Sequence, residues 1–321
     1  MRAPEFWTSN GAGAATLAAL LSPVGALYGF SVRARQASTK PYRARARVLC
    51  VGNLTAGGSG KTPVALALGL MLRARGKTVA FLTRGYGGRS RGPIIVDPAR
   101  HSAADVGDEA LLLAAKALTI VAHDRAQGAT LADAKGIGAI VMDDGFQNFQ
   151  LAKDLSILVI DAETGLGNQR LIPAGPLREP PDTGFRRADA LILMGTGEPK
   201  LPRFAGPSVR ARLIPTAPET VAGRAVYAIA GIGRPEKFFA TLQAMGARVT
   251  GTAAYADHHR FSVFELAAAR QAAETAGALL VTTEKDYLRL SERDRTGIHP
   301  IPVHVAFDDA APLRTLLDRL V

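Results

Sequence analysis

Apolar residues occur along this chain in blocks rather than singly. Residues 47–52, 78–82, 119–122, 139–142, 155–160 and 190–194 are short, nearly continuous apolar runs, the pattern of strands covered on both faces. Between them, 62–75 and 109–117 read as helices; the first carries Arg73 and Arg75 in its last turn and stops at Gly76, as a helix C-terminus prefers. Strands alternating with helices predict an α/β fold, a mostly parallel sheet with helices on both faces. A Pro/Gly-rich stretch over 195–218 predicts a linker. The alternation then resumes, with strands expected at 225–230, 248–252 and 278–282 and helices at 235–245, 261–276 and 312–320. No fixed-period repeat is visible, which argues against solenoids and propellers.

The N-terminus breaks this pattern. After Arg2 and Glu5 no charge appears until Arg33, and Arg35, Lys40, Arg43, Arg45 and Arg47 follow closely. A bilayer-spanning helix needs about 20 apolar residues. The run has that length, but Gly and Ala dilute it and Pro23 interrupts it. A cleaved secretory signal fits poorly, because positive charge after the apolar run opposes translocation. The reading that uses every feature is an interfacial helix or helical hairpin, with Trp7, Tyr28 and Phe30 near its ends and a polybasic flank on an anionic leaflet. A true span and a soluble packing helix are the alternatives.

With 321 residues, 47% of them hydrophobic and 21% charged, the chain can bury a core of about two domains. Cys50 is the only cysteine, which excludes a disulfide scaffold and a zinc or iron–sulfur site built from cysteines of one chain. Lys and Arg total 39 against 28 Asp and Glu, a net +11. That charge suits a polyanionic partner, whether nucleic acid, an anionic membrane or a phosphorylated substrate.

The most specific chemical signal follows the first strand. Thr55-Ala56-Gly57-Gly58-Ser59-Gly60-Lys61-Thr62 is a glycine-rich turn opening a helix. Gly57, Gly58 and Gly60 let backbone N–H groups, Ser59 included, turn toward phosphate oxygens at the helix N-terminus. Lys61 can reach the β- and γ-phosphates and Thr62 can place its hydroxyl on Mg²⁺. Thr55 stands where the general pattern has glycine. A second apolar strand ends in Asp143-Asp144-Gly145-Phe146-Gln147, placing carboxylates at the sheet edge where α/β proteins bind ligands. Either aspartate could hold Mg²⁺; a plain turn at Asp144-Gly145 is the alternative.

Other segments stay open on their residues alone. Asp108 in Gly107-Asp108-Glu109 reads equally as a helix cap or a functional acid. Asp257-His258-His259 is a structural pair or part of a site. The loop from Arg84 to Gly92 is an anion-binding lid or an ordinary solvated loop. Arg178, set among Pro173, Pro176 and Pro180, can clamp a phosphate or pair with a surface acid.

Taken in order, Gly52-Asn53-Leu54-Thr55 with the phosphate loop, Thr83-Arg84-Gly85-Tyr86-Gly87-Gly88, Gly107-Asp108-Glu109, Asp143-Asp144-Gly145-Phe146-Gln147, Pro173-Ala174-Gly175-Pro176-Leu177-Arg178-Glu179-Pro180, Asp257-His258-His259-Arg260-Phe261 and Thr283-Glu284-Lys285-Asp286 resemble the tetraacyldisaccharide 4′-kinase family. The resemblance spans nearly the whole chain. The family commonly has Thr or Ser at the Thr55 position. Ala110 departs from a frequent proline.

The resemblance implies a P-loop kinase core over 47–205, a smaller C-terminal α/β lobe over 206–321 and a membrane-facing segment over 1–46. It implies transfer of the ATP γ-phosphate, with Mg²⁺, to the 4′-hydroxyl of an acylated glucosamine disaccharide 1-phosphate at the cytoplasmic face of the inner membrane. Asp108 would be the base, aided by His258. Asp143 and Asp144 would serve the metal, with Arg84, Glu109, Gln147 and Arg178 around them. No nucleic-acid partner is expected. Two other classes remain as alternatives. A GTPase would carry an Asn/Thr-Lys-x-Asp signature, and Glu284-Lys285-Asp286 has the wrong spacing. A nucleic-acid-dependent ATPase would want aromatic stacking platforms, but only 6% of residues are aromatic.

Overall fold

The computed structural model describes residues 4–9, 11–216 and 218–321. Its strands are β1 (Arg47–Gly52), β2 (Val79–Thr83), β3 (Ile94–Ile95), β4 (Thr119–Val121), β5 (Ala139–Asp143), β6 (Leu155–Asp161), β7 (Ala190–Met194), β8 (Ser208–Pro215), β9 (Ala225–Ala230), β10 (Arg248–Ala254), β11 (Leu279–Thr283), β12 (Ile298–Ile301) and β13 (Val303–Phe307). The α-helices are α1 (Ala12–Ser38), α2 (Lys61–Arg73), α3 (Ala103–Val106), α4 (Asp108–Ala114), α5 (Arg125–Ala134), α6 (Pro181–Arg186), α7 (Pro235–Ala244), α8 (Val263–Thr275), α9 (Glu284–Arg289), α10 (Glu292–Arg295) and α11 (Ala311–Asp318).

Nine strands form one sheet in the order β13-β8-β7-β6-β1-β5-β2-β4-β3. The six inner strands from β7 to β4 run parallel, as does β8 beside β7, while β13 and β3 close the edges antiparallel. Alternate residues of β1 serve opposite faces, as strand geometry requires. Leu49 and Val51 join the core built with Val64, Leu68 and Leu72 of α2 and Leu313, Leu316 and Leu317 of α11. Val48 and Cys50 join the other, with Ala129 and Ala132 of α5, Phe146, Leu151 and Leu177. Because the inner strands are parallel, their C-terminal ends share one edge, and the loops after β1 and β5 meet there.

A second sheet, β10-β9-β11-β12, is parallel throughout and is covered by α7 on one face and α8 on the other. The linker expected over 195–218 is not one: β8 lies inside it and pairs with β7 and β13. The boundary expected at 205/206 therefore assigns β8 to the lobe that does not hold it. The four-stranded lobe is confined to 225–301, and the chain after β12 crosses back to the large sheet as β13 and α11. Arg210 and Arg212 alternate with Val209, Ala211 and Leu213, so β8 lacks the continuous apolar run that marks the inner strands. Helix α5 was likewise not anticipated; its Ala-rich surface gives little periodicity, and Asp124 caps it by accepting from the N–H groups of Ala126 and Gln127.

Pro23 does not break the N-terminal segment, so the hairpin reading fails. Helix α1 runs unbroken through it for 27 residues and is long and apolar enough to cross a membrane by length and composition. One face packs against the protein: Gly25 and Gly29 abut Leu171, and the Trp7 indole donates to the Pro173 carbonyl at 3.1 Å. The opposite face presents Leu20 (72% exposed), Val24, Leu27 (71%) and Phe30 to solvent.

Gly52, the last residue of β1, shows how tightly the edge is built. A Cβ there would stand 2.5 Å from the Phe146 Cβ and 3.0 Å from its backbone N. Gly52→Ala should therefore push back the Asp144–Phe146 turn and cost about 1–3 kcal/mol, as overpacking does. Chemical denaturation will read it, and an unchanged midpoint would contradict the packing described.

Candidate active site

The turn from β1 into α2 is held open by its neighbours. Ala56 N–H donates to the Pro176 carbonyl at 2.8 Å and Arg178 N–H to the Leu54 carbonyl at 2.7 Å, so the phosphate loop and the Pro-rich loop are stitched together at Thr55, which bridges Leu177. Asn53 Nδ2 donates to Ser59 Oγ at 3.1 Å and lies 3.4 Å from Thr55 Oγ1. Gly60 caps α2 with φ +82°, a left-handed conformation that glycine adopts without strain. A Cβ at Gly57 or Gly58 would meet nothing within 4 Å, so these backbone units face open space.

Asp143 is the buried centre of the edge. Thr62 Oγ1 donates to its Oδ2 at 2.8 Å, while its Oδ1 is buried without a partner among the described residues. Burial first, then the negative charge of Glu109, push the Asp143 carboxyl up to about 7 despite the Thr62 bond. Asp144, at φ +52°, answers differently. Burial would raise it too, but Lys61 at 3.8 Å and Arg178, which bonds both its oxygens at 2.9 and 3.0 Å, hold it below the usual carboxylate range. Gln147 Nε2 donates to the Asn53 carbonyl and to Glu179, each at 2.9 Å. Two adjacent aspartates thus have opposite tendencies, the arrangement expected where carboxylates take separate roles.

Asp108 lies in the first turn of α4 rather than at its cap. Gly107 is the N-cap residue and Asp108 is buried. Its Oδ2 faces His258 Nδ1 at 3.1 Å and accepts from Arg289 Nε at 2.6 Å. Burial opposes its charge, yet the His258 bond together with Lys285 and Arg289 keeps it well below the usual carboxylate range. His258 sits at φ +58°, against the Tyr86 ring. His259, by contrast, faces away from this cluster: it pairs with Glu265 at 3.0 Å and stacks on Tyr255. Glu109 pairs with Lys285 at 3.0 Å. Arg84 is exposed and outside these hydrogen bonds; its charge is felt by Arg125 and His123, both depressed in part by it.

Three cations that no sequence motif marks also reach this edge. Arg289 is nearly fully buried, bonding Asp108, the Gly231 carbonyl and Asp286. Arg234 of the small lobe pairs with Asp161 at the end of β6, and its Nη2 lies 3.4 Å from the Gly58 carbonyl of the phosphate loop. Arg125 is buried and donates to the Ala122 carbonyl at 2.5 Å, while its Nε has no partner among the described residues. None sits in a glycine-rich or paired-acid motif; only the cap residue Asp124 marks the start of α5 beside Arg125.

A parallel α/β sheet, a glycine loop opening a helix with Lys-Thr and an acid at the end of the neighbouring strand define a P-loop nucleotide-binding protein. The chain belongs to the tetraacyldisaccharide-1-P 4′-kinase family, LpxK, whose family model matches residues 17–321. It is 53% identical over 305 residues to a tetraacyldisaccharide 4′-kinase of Parvibaculum lavamentivorans, covering 91% of this chain and 87% of that protein. To the protein of the same name from Rhodospirillum centenum it is 48% identical over 328 residues, covering 100% and 97%. Among solved structures, LpxK from Aquifex aeolicus in complex with ATP superposes with a TM-score of 0.76 at 28% identity, covering 95% of this chain and 99% of that one.

The raised Asp143 carboxyl carries a pH signature. A group whose native pKa exceeds its unfolded value binds more protons in the native state, so stability falls as pH rises through that interval. In protein free of nucleotide and divalent cation, the Asp143 contribution should decline from the ordinary carboxylate range near pH 4 up to about 7 and then level off. Asp143→Asn should flatten that window and gain stability at pH 8 relative to wild type. A denaturation series from pH 4 to 8 with identical slopes for both proteins would refute the assignment.

Proposed function

We propose that this protein transfers the γ-phosphate of ATP to the 4′-hydroxyl of a tetraacylated glucosamine disaccharide 1-phosphate, a step of lipid A biosynthesis, at the cytoplasmic face of the inner membrane. The observation that carries the reading is the family match over 17–321, on a chain whose Lys61, Thr62 and Asp143 stand at one sheet edge with Asp108 and His258 beside them.

The residues suit the chemistry. Phosphoryl transfer depends on in-line placement and neutralised charge more than on covalent help. The loop N–H groups around Gly57, Gly58, Ser59 and Gly60 would bind phosphate oxygens, with Thr55 fixing the loop's entry, and Lys61 would take the β- and γ-oxygens. Arg234, Arg178 and Arg84 add positive charge around the phosphates. The donor set at Thr62, Asp143 and Asp144 is hard oxygen, and the unpaired buried Oδ1 of Asp143 is a vacant acceptor, which fits Mg²⁺. The ion would neutralise charge on the phosphate oxygens. As the acceptor oxygen bonds to phosphorus, the bond to the β-phosphate oxygen breaks and ADP leaves. The hydroxyl proton passes to the Asp108–His258 pair, which takes it up as one unit. Arg289 and Lys285 keep Asp108 ionised, and Glu109 and Gln147 hold the neighbouring Lys285 and Glu179 side chains in place. The exposed apolar row of α1 would lie in the leaflet that holds the acyl chains.

The direct test is a kinase assay of the purified chain with ATP, Mg²⁺ and the tetraacyldisaccharide 1-phosphate. Absence of product from a protein that binds ATP would sink the reading. Lys61→Ala should abolish transfer while leaving the fold intact, and activity within a few-fold of wild type would remove the phosphate-loop role. Asp108→Ala and His258→Ala should each lower kcat by about 10²–10⁴-fold with ATP affinity little changed. The double variant should lose far less than the product of the single losses; multiplicative losses would mean two independent roles.

A further inference from the structure

Where the chain between β5 and β6 passes the end of α1, a cavity of about 240 Å³ opens, lined by Gln36, Thr39, Asn148, Phe149, Lys153 and Arg187 among others. Pockets for drug-sized ligands hold roughly 300–1,000 Å³, so this one suits a small group, not an acylated disaccharide. Its walls carry unbalanced charge. Lys153 Nζ donates to the carbonyls of Phe146 at 3.0 Å and Asn148 at 2.7 Å, using two of its three protons. Arg187 bonds the Phe146 carbonyl at 3.2 Å and pairs with Glu179, while its Nε has no partner among the described residues. Both cations crowd the same two rings: Arg187 Cζ lies 4.5 Å and Lys153 Nζ 5.8 Å from the Phe146 centroid, with 5.3 and 5.9 Å to Phe149. Glu179, the carboxylate paired with Arg187, is shared with Gln147. Burial, and among the neighbouring charges Arg187, disfavour the Lys153 cation. An anion in the cavity would relieve both.

We propose that this cavity binds the phosphate of an anionic phospholipid headgroup. The cavity's place on α1 selects that source over phosphate in solution. Gln36 continues the protein-facing row of Gly25, Gly29 and Val32 at helical spacing, opposite the exposed Leu20, Val24, Leu27 and Phe30. A helix is ~10 Å across. With the apolar row in the acyl boundary, the cavity mouth stands at headgroup depth. Arg33, Arg35, Lys40 and Arg43 are exposed around the same end of the helix and would draw an anionic leaflet to it. The phosphate itself needs only the cavity; the assignment to a lipid rests on the reading of α1 as a membrane-surface helix.

The test titrates the full-length protein with monomeric short-chain phosphatidylglycerol and, separately, with inorganic phosphate, by calorimetry. Saturable one-to-one binding of the lipid is expected, with inorganic phosphate at least tenfold weaker. Lys153→Gln should weaken lipid binding by about tenfold or more. Gln36→Glu, which places a like charge at the rim and leaves the buried cations in place, should do the same if Lys153→Gln fails to fold. Equal affinity for inorganic phosphate would overturn the lipid assignment, and no saturable binding, or binding indifferent to Gln36→Glu, would overturn the site. Leu20→Glu with Leu27→Glu separates the two readings. It should abolish sedimentation with phosphatidylglycerol vesicles while sparing the short-chain lipid. If the vesicles still bind, the membrane reading of α1 fails, and with it the headgroup as the source.

Discussion

Confinement of negative charge at the C-terminal edge of the large sheet governs this molecule. Asp143, Asp144 and Asp108 crowd a region where burial penalises each one that ionises, with Glu109 beside them. Three of them are matched by named cations: Asp144 by Lys61 and Arg178, Asp108 by Arg289, and Glu109 by Lys285. Among the described residues Asp143 has only the Thr62 hydroxyl as a hydrogen-bond partner, and its carboxyl rises through burial and the charge of Glu109. Joint entry of a divalent cation and phosphates would balance the charge of such a site.

The same charges join the lobes. Arg289, Lys285 and His258 reach from the small lobe to Asp108 and Glu109, while Arg234 and Lys237 reach Asp161 at the far side of the phosphate loop. Buried pairs of this type are costly to break one partner at a time, so the Asp108–His258 pair depends on the lobe that supplies half of it. Arg234 also touches the Gly58 carbonyl, which couples lobe position to the loop that would hold phosphate. The return of the chain through β13 and α11 into the large sheet ties the small lobe down at both ends.

Helix α1 belongs to the same design through a different force. Small residues on one face let it pack against the Leu171 loop, next to the Pro-rich loop that fixes Thr55 and Arg178. The face left over is apolar and exposed. A membrane surface would cover it, and the basic residues beyond the helix would lie over the lipid phosphates.

Much of this was legible in the residues alone. The apolar runs and the helical stretch after the glycine loop located the inner strands and α2, because a strand buried on both faces must be continuously apolar. The loop itself was legible because phosphate binding restricts residue type position by position, and the ordered motifs identified the family. Where sequence reading failed, the cause was tertiary. Strand β8 alternates Arg with apolar residues and is a strand only because β7 and β13 flank it. Pro23 sits in a helix whose other bonds and packing tolerate it. Whether Asp108 caps a helix or faces a histidine 150 positions away was settled by the fold, since no local pattern encodes a partner on another lobe. Arg289, Arg234 and Arg125 carry no motif for the same reason. A cation's function is set by which buried acid or backbone oxygen the chain brings to it, and that is decided only when the sheets pack.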